Sequence, residues 1–331
     1  MEKVPLMFRM LLRVQSAALN VSLRPNRTLN RFLMNLFDPK IPPSSKSNDG
    51  VSTHVIVFDS TRNLWFRVFV PSSDDSDNLT GLPLLVYYHG GGFAFLSASS
   101  MPFVDHCRRL ARDLRVVVVS VNYRLSPEHP YPIPYEDGFD ALKFLDGLGS
   151  DNSDVFPAKV DFDRCFLAGD SAGGNLAHHV AVRAGGYDFK KLKIKGLIAI
   201  QPFFGGEERV GSEIQYGKSA MLNLEQADWY WKAFLPHGSN RNHPAAHVFG
   251  PDAEDISGVK FPATLLIIGG QDQLQDWQKR YYEWLKEGGK EVDLIEFPDA
   301  VHGFYLVPGL EDDTSLLIKH VTEFMHKLMA V

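Results

Sequence analysis

The chain has 331 residues, 44% of them hydrophobic, and 34 Lys and Arg against 40 Asp and Glu give it a net charge of −6. That is enough apolar material for a sizeable core, and a mildly acidic chain lacks the electrostatic footprint of a nucleic-acid or anionic-membrane binder. Its two cysteines, Cys107 and Cys165, both lie in apolar patterns, which excludes a disulfide scaffold and points to a reducing compartment.

Taken in order, the chain opens with two helical patterns. Leu6, Met7, Met10, Leu11 and Val14 recur at helical spacing over residues 5–19, and Phe32, Leu33, Leu36 and Phe37 do so over 29–37. Arg9 and Arg13 interrupt the first, so no signal-peptide core is expected, and no apolar run reaches the length of a membrane span. Pro39, Pro42 and Pro43 close this section. Strands are expected at 51–59, 64–70, 84–88, 116–121, 164–168, 194–200, 264–268 and 292–297, with a polar loop over 72–81. Helical patterns over 101–114, 135–148, 172–183, 277–286 and 314–329 alternate with the later strands. Such alternation predicts an α/β fold with a mostly parallel central sheet and helices on both faces. Residues from about 203 to 260 contain no strand pattern and one helical pattern around Trp229, Tyr230 and Trp231. They read as an insertion that, with residues 1–40 as an N-terminal lid, caps the sheet edge where ligands bind in such folds.

The chemistry centres on Gly169-Asp170-Ser171-Ala172-Gly173, a G-x-S-x-G sequence between an apolar strand and a helix. A serine nucleophile needs a base, and the base needs an orienting acid; in this type of fold they follow in the order serine, acid, histidine. Asp272 follows a buried strand and fits the acid. Asp276, the competing carboxylate, opens a helix and reads as an N-cap or first-turn acid. His302 follows the last strand and fits the base. His178, His179, His320 and His326 lie inside helices, His237, His243 and His247 in the insertion, and His54, His106 and His129 ahead of the serine. The glycine loop His89-Gly90-Gly91-Gly92 follows another strand and offers the Gly91 and Gly92 N–H groups, with that of Ala172, as an oxyanion hole. No P-loop lysine and no metal-ligand spacing is present, so neither metal nor cofactor is expected. Phe93, Phe203, Phe204, Trp229, Trp231, Phe304 and Tyr305 are available to line an apolar pocket or to fill the core.

His89 to Phe93, Tyr123 to Pro130 and Gly169 to Asn175 together resemble the hormone-sensitive-lipase group of α/β hydrolases, within it the plant carboxylesterases, and especially the branch that holds the gibberellin receptor. Arg24 to Arg31, Phe203 to Arg209, Asp228 to Pro236 and Gln275 to Gln278 carry the likeness to that branch. The cysteine usage and the interrupted first helix lead to a cytoplasmic expectation, with the nucleus as a further location; the resemblance implies a serine carboxylesterase acting on small-molecule esters, with the N-terminal helices as its lid. It also sets the alternatives. The receptor resembles an esterase with valine in place of the histidine base and serine in place of the third glycine, whereas this chain has His302 and Gly92. A dehydrating branch resembles the same fold with threonine as nucleophile, where this chain has Ser171. A hydrolase is therefore expected, with a small-molecule sensor or a lyase or cyclase as alternatives.

Overall fold

The computed structural model describes residues 4–72, 81–148 and 155–330. Apart from its ends, the polar loop expected over 72–81 lies outside the described residues. Helices α1 (Leu6–Ser22) and α2 (Arg31–Leu36) precede eight strands: β1 (Val51–Asp59), β2 (Leu64–Pro71), β3 (Leu82–Tyr88), β4 (Val117–Asn122), β5 (Val160–Asp170), β6 (Ile194–Ile200), β7 (Ala263–Gly269) and β8 (Val292–Phe297). Between and after them come α3 (Met101–Leu114), α4 (Ile133–Gly147), α5 (Ala172–Gly185), α6 (Gly211–Tyr216), α7 (Leu224–Phe234), α8 (Gln275–Glu287) and α9 (Glu311–Met329).

The strands form one sheet in the order β1-β2-β4-β3-β5-β6-β7-β8. β2 pairs antiparallel with both β1 and β4, while every pairing from β4 through β3 to β8 is parallel. This is the α/β-hydrolase fold. The strands that pair in parallel are Val-, Ile- and Leu-rich because helices cover both faces of the sheet. Alternate residues divide between two layers. Leu84, Val86, Val119 and Leu167 pack with Phe139, Leu142, Leu176 and Val180 of α4 and α5. Leu85, Val118, Phe166 and Ile198 face the other way, onto Phe103 and Cys107 of α3 and Leu317 and Val321 of α9. Both cysteines are buried and free.

Register sets the position of the site. Tyr88 pairs with Gly169, Asp170 with Ile200, Ile200 with Ile267 and Gly269 with Phe297. The carboxyl ends of β3, β5, β6, β7 and β8 are therefore level, and the loops after them converge on one edge. β5 begins at Val160, earlier than its apolar run suggests. Val160 and Asp161 pair with Leu82 and Pro83 before a register shift near Cys165, so backbone pairing extends a strand through polar side chains. The six-residue α6 was also outside the sequence expectation.

Candidate active site

Ser171 sits between β5 and α5 at φ +51° and ψ −120°, a conformation that ordinary L-residues avoid. Sequence chemistry permits the turn because its flanks are glycine. A Cβ on Gly169 would lie 2.2 Å from the Gly173 carbonyl oxygen, and one on Gly173 would lie 1.9 Å from that of Tyr88. The Ser171 N–H donates to the Ile200 carbonyl at 2.9 Å, which ties the apex to the neighbouring strand.

His302 arrives from the loop after β8. Its Nε2 is 2.9 Å from Ser171 Oγ and its Nδ1 is 2.7 Å from Asp272 Oδ2. With Nδ1–H donated to the carboxylate, Nε2 is left to accept the serine proton. Asp272 is 1% exposed. Its Oδ1 accepts the Leu274 N–H at 3.0 Å and its Oδ2 the Gln201 amide at 3.1 Å. Asp276 lies apart from this constellation, in the first turn of α8, where it accepts the Ser212 N–H at 2.8 Å.

Burial alone would depress the His302 imidazole. Asp272, by charge and by hydrogen bond, and Asp170, by charge, outweigh it and hold the pKa above its ordinary value. Six other histidines go the opposite way. Burial takes His89 and His179 down to about 4 and His106 to about 3, and lowers His178, His243 and His247. Of these seven histidines, His302 is the one with a carboxylate within hydrogen-bond distance among the described residues.

The glycine loop is tied to the elbow through Asp170. Gly91 and Gly92 turn through φ +113° and +59°. The Gly90 N–H donates to Asp170 Oδ1 at 2.8 Å. Asp170 also accepts the Tyr87 hydroxyl at 2.7 Å and the Tyr305 hydroxyl at 2.9 Å. Burial lifts this carboxyl to about 6, against the pull of those donors and of His302. The Tyr123 to Pro130 stretch braces the two ends of the loop. The Tyr123 hydroxyl donates to the His89 carbonyl at 2.6 Å, and the Ser126 N–H to that of Phe93 at 2.9 Å.

Three residues here escaped sequence reasoning. Gln201, at the tip of β6, donates to Asp272 and to the Val301 carbonyl at 3.2 Å, and accepts the Gly303 N–H at 2.8 Å. Its signal was a polar residue directly after the apolar run Leu197 to Ile200. Asp170 was read only as part of the elbow. Tyr230 of α7 lies against the glycine loop, where a Cβ on Gly92 would be 2.4 Å from its ring. Most of the aromatics considered for a pocket are core instead. Phe93 stacks on Phe234 at 3.8 Å and Phe203 on Trp231 at 4.1 Å. Among the described residues, no group of three or more His, Cys, Asp or Glu could hold a metal ion.

α1 and α2 lie against α7 and the glycine loop. Gln226 donates to Asn20 Oδ1 at 2.9 Å, and the Trp229 indole to the Arg24 carbonyl at 2.8 Å. Arg31 donates to the Ala94 carbonyl, to that of Ser126 at 2.7 Å and to Glu128 at 3.0 Å.

A family model described as alpha/beta hydrolase fold matches residues 85–306, and one described as carboxylesterase family matches residues 40–127. A gibberellin receptor of Arabidopsis thaliana is 40% identical over 92% of this chain and 90% of its own. Probable carboxylesterase 6 of the same plant is 42% identical over 72% of this chain and 70% of its own. Among solved structures, a hyperthermophilic esterase from the archaeon Pyrobaculum calidifontis is similar at 26% identity and a TM-score of 0.70, over 98% of this chain and 92% of that one. With its fold, its glycine loop and its elbow all on that pattern, the chain belongs to the α/β hydrolases, in the group that holds the plant carboxylesterases and the gibberellin receptors.

Proposed function

We propose that the protein is a serine carboxylesterase that hydrolyses small-molecule carboxylic esters through an acyl-enzyme. The observation that carries this reading is the pair of contacts from His302, 2.9 Å to Ser171 and 2.7 Å to Asp272. Ser171 Oγ attacks the ester carbonyl carbon while His302 Nε2 takes its proton. Asp272 holds the tautomer and stabilises the imidazolium. The N–H groups of Gly91, Gly92 and Ala172 receive the negative charge that develops on the carbonyl oxygen. The tetrahedral adduct collapses, His302 returns the proton to the departing alcohol, and the acyl group stays on Ser171. Water then repeats the attack, with His302 again the base, and releases the acid. Every proton moves between groups of the chain, substrate and water, so the cycle calls on no cofactor.

In the same reading, residues 1–40 form a lid and about 203–260 a cap insertion over the carboxyl ends of the strands. The bonds from α7 to Asn20 and Arg24 support this, as does the seat of Tyr230 on Gly92. A fluorophosphonate probe tests the assignment. Wild type should label and Ser171→Ala should not; equal labelling of both would refute it.

The second reading is a small-molecule sensor, favoured by the 40% identity to a gibberellin receptor across nearly the whole chain. It predicts saturable ligand binding with no turnover of p-nitrophenyl acetate, and sustained turnover that Ser171→Ala abolishes decides for the esterase.

A further inference from the structure

The outer face of α1 is inverted relative to an ordinary surface helix. Leu6, Met7, Met10, Leu11, Val14 and Val21 are between 52% and 83% exposed. At 3.6 residues per turn these six fall within a sector of about 140°. The opposite face is the buried one, and it is partly polar. Ser16 and Ser22 are 9% and 0% exposed, and Gln226 of α7 bonds Ser16 Oγ at 3.2 Å and Asn20 Oδ1 at 2.9 Å. An amphipathic helix normally buries its apolar stripe. Here the inner contacts fix α1 with that stripe turned to solvent. Phe32 and Leu36 of α2, at 82% and 68% exposed, add to the same N-terminal segment.

Charge shows what the stripe fits. Residues 4–37 carry five arginines and no acidic residue, in a chain whose net charge is −6; Arg31 is paired with Glu128 and Arg9 has its Nε buried, which leaves Arg13 as the exposed arginine of α1. Whole-chain charge, on which the expectation of no membrane contact rests, averages this imbalance away. Arg13 is exposed at the border of the stripe. A second copy of the chain fits poorly, because a two-fold contact would set the arginines against themselves. An acidic peptide needs a groove or pockets for its side chains, and the stripe is the convex side of a single helix. A convex apolar ridge of flexible Leu and Met side chains, edged by arginine, is the form that lies in the plane of a lipid interface. No helix among the described residues is long and apolar enough to cross a membrane, so contact through α1 is with the surface.

We propose that α1 seats on an anionic lipid surface, its Leu6–Val21 face entering the headgroup boundary and Arg13 at its border pairing with lipid phosphate. This goes beyond the esterase reading, and its readout is binding rather than hydrolysis. The full-length protein would be sedimented with vesicles of phosphatidylcholine alone and of phosphatidylcholine with phosphatidylglycerol. Wild type should partition onto the anionic vesicles, at least about ten-fold more strongly than onto the neutral ones, and release as salt is raised. Met7→Glu with Leu11→Glu should cut that partition by at least about ten-fold. Arg13→Glu should weaken binding to anionic vesicles by at least about five-fold and leave neutral ones unaffected. The double variant should melt as wild type does and hydrolyse a soluble ester at the wild-type rate. The proposal is overturned by no partition at low salt, or by equal partition of the double variant. It is also overturned by a dimer that the double variant dissociates, which would assign the face to self-association. Saturable binding to poly-glutamate without vesicle partition would assign it to an acidic protein and overturn it as well.

Discussion

Two buried carboxylates face His302, and they do different things. Asp272 touches the imidazole at 2.7 Å. Asp170 acts on it by charge while bonding Gly90, Tyr87 and Tyr305. It thus ties the elbow to the glycine loop and to the loop that carries His302. The base must be neutral to accept the serine proton, and its pKa is raised, so kcat/KM should collapse as pH falls through an apparent pKa above the ordinary value of about 6.5. Asp170→Asn removes one of the charges that raise the imidazole. Its acid limb should therefore move to lower pH, and its kcat should fall as the loops lose their common acceptor; an unmoved limb in a folded variant would show that Asp170 only packs. The choice of acid is tested separately. Asp272→Asn should cost about 10⁴ in kcat by leaving the imidazole in the wrong tautomer. Asp276→Asn keeps an amide oxygen to accept the Ser212 N–H and loses only a charge in the first turn of α8, about 0.3–1 kcal/mol of stability, and should leave kcat nearly unchanged. Equal losses in both would move the acid assignment. Ser171→Ala or His302→Val should each lower ester turnover by about 10⁴ to 10⁶ in a protein that still melts cooperatively.

Among the elements, the elbow and the glycine loop were legible because steric demands leave little choice of residue. A Cβ at 169 would meet the backbone of Gly173 and one at 173 that of Tyr88 and His89, so their spacing around Ser171 reports a three-dimensional constraint in one dimension. The central strands were legible because burial on both faces requires apolar runs, as at Leu84 to Tyr88, Phe166 to Ala168, Leu197 to Ile200 and Leu265 to Ile268. What stayed hidden depends on pairing between distant segments. The polar start of β5 is a strand because Leu82 and Pro83 lie beside it. Gln201 matters because three loops meet at its amide, and Tyr230 because α7 folds back onto Gly92. That contact makes a prediction. At φ +59° and with the Tyr230 ring 2.4 Å from where a Cβ would stand, Gly92→Ser should lower kcat by about 10² to 10³ and destabilise the fold. Tyr230→Ala in the same chain should recover part of the lost melting temperature, so that the two changes are non-additive. Strict additivity in thermal melts would mean that the ring already stands clear of the loop.

For the whole molecule, the open question is what residues 1–40 are for. Sequence order argues for a lid, since two amphipathic helices precede the first strand and a proline-rich joint separates them from it. The sheet already has α3 and α9 on one face and α4 and α5 on the other, and it leaves no room there. Contacts add the direction. α1 and the turn after it bond α7, and Arg31, the first residue of α2, reaches the Ala94 and Ser126 carbonyls next to the glycine loop. Lys40 and Asp38 bond Ser100 at the start of α3, which anchors the joint. A segment held by polar bonds at a few points, with Val4, Leu12, Leu19 and Met34 as its buried apolar side chains among the described residues, is attached less firmly than the sheet's own helices. Deletion of residues 1–40 should therefore leave a domain that melts cooperatively and still labels at Ser171. The same deletion removes the Arg31 bonds behind the glycine loop and uncovers α7, so kcat/KM should change by at least about ten-fold and the preference for acyl-chain length should shift. An insoluble or molten truncation would assign the segment to the core. A folded truncation with unchanged kinetics on every ester tried would place it away from the reacting groups. Either result removes the lid, and only altered selectivity in a folded, labelling domain supports it.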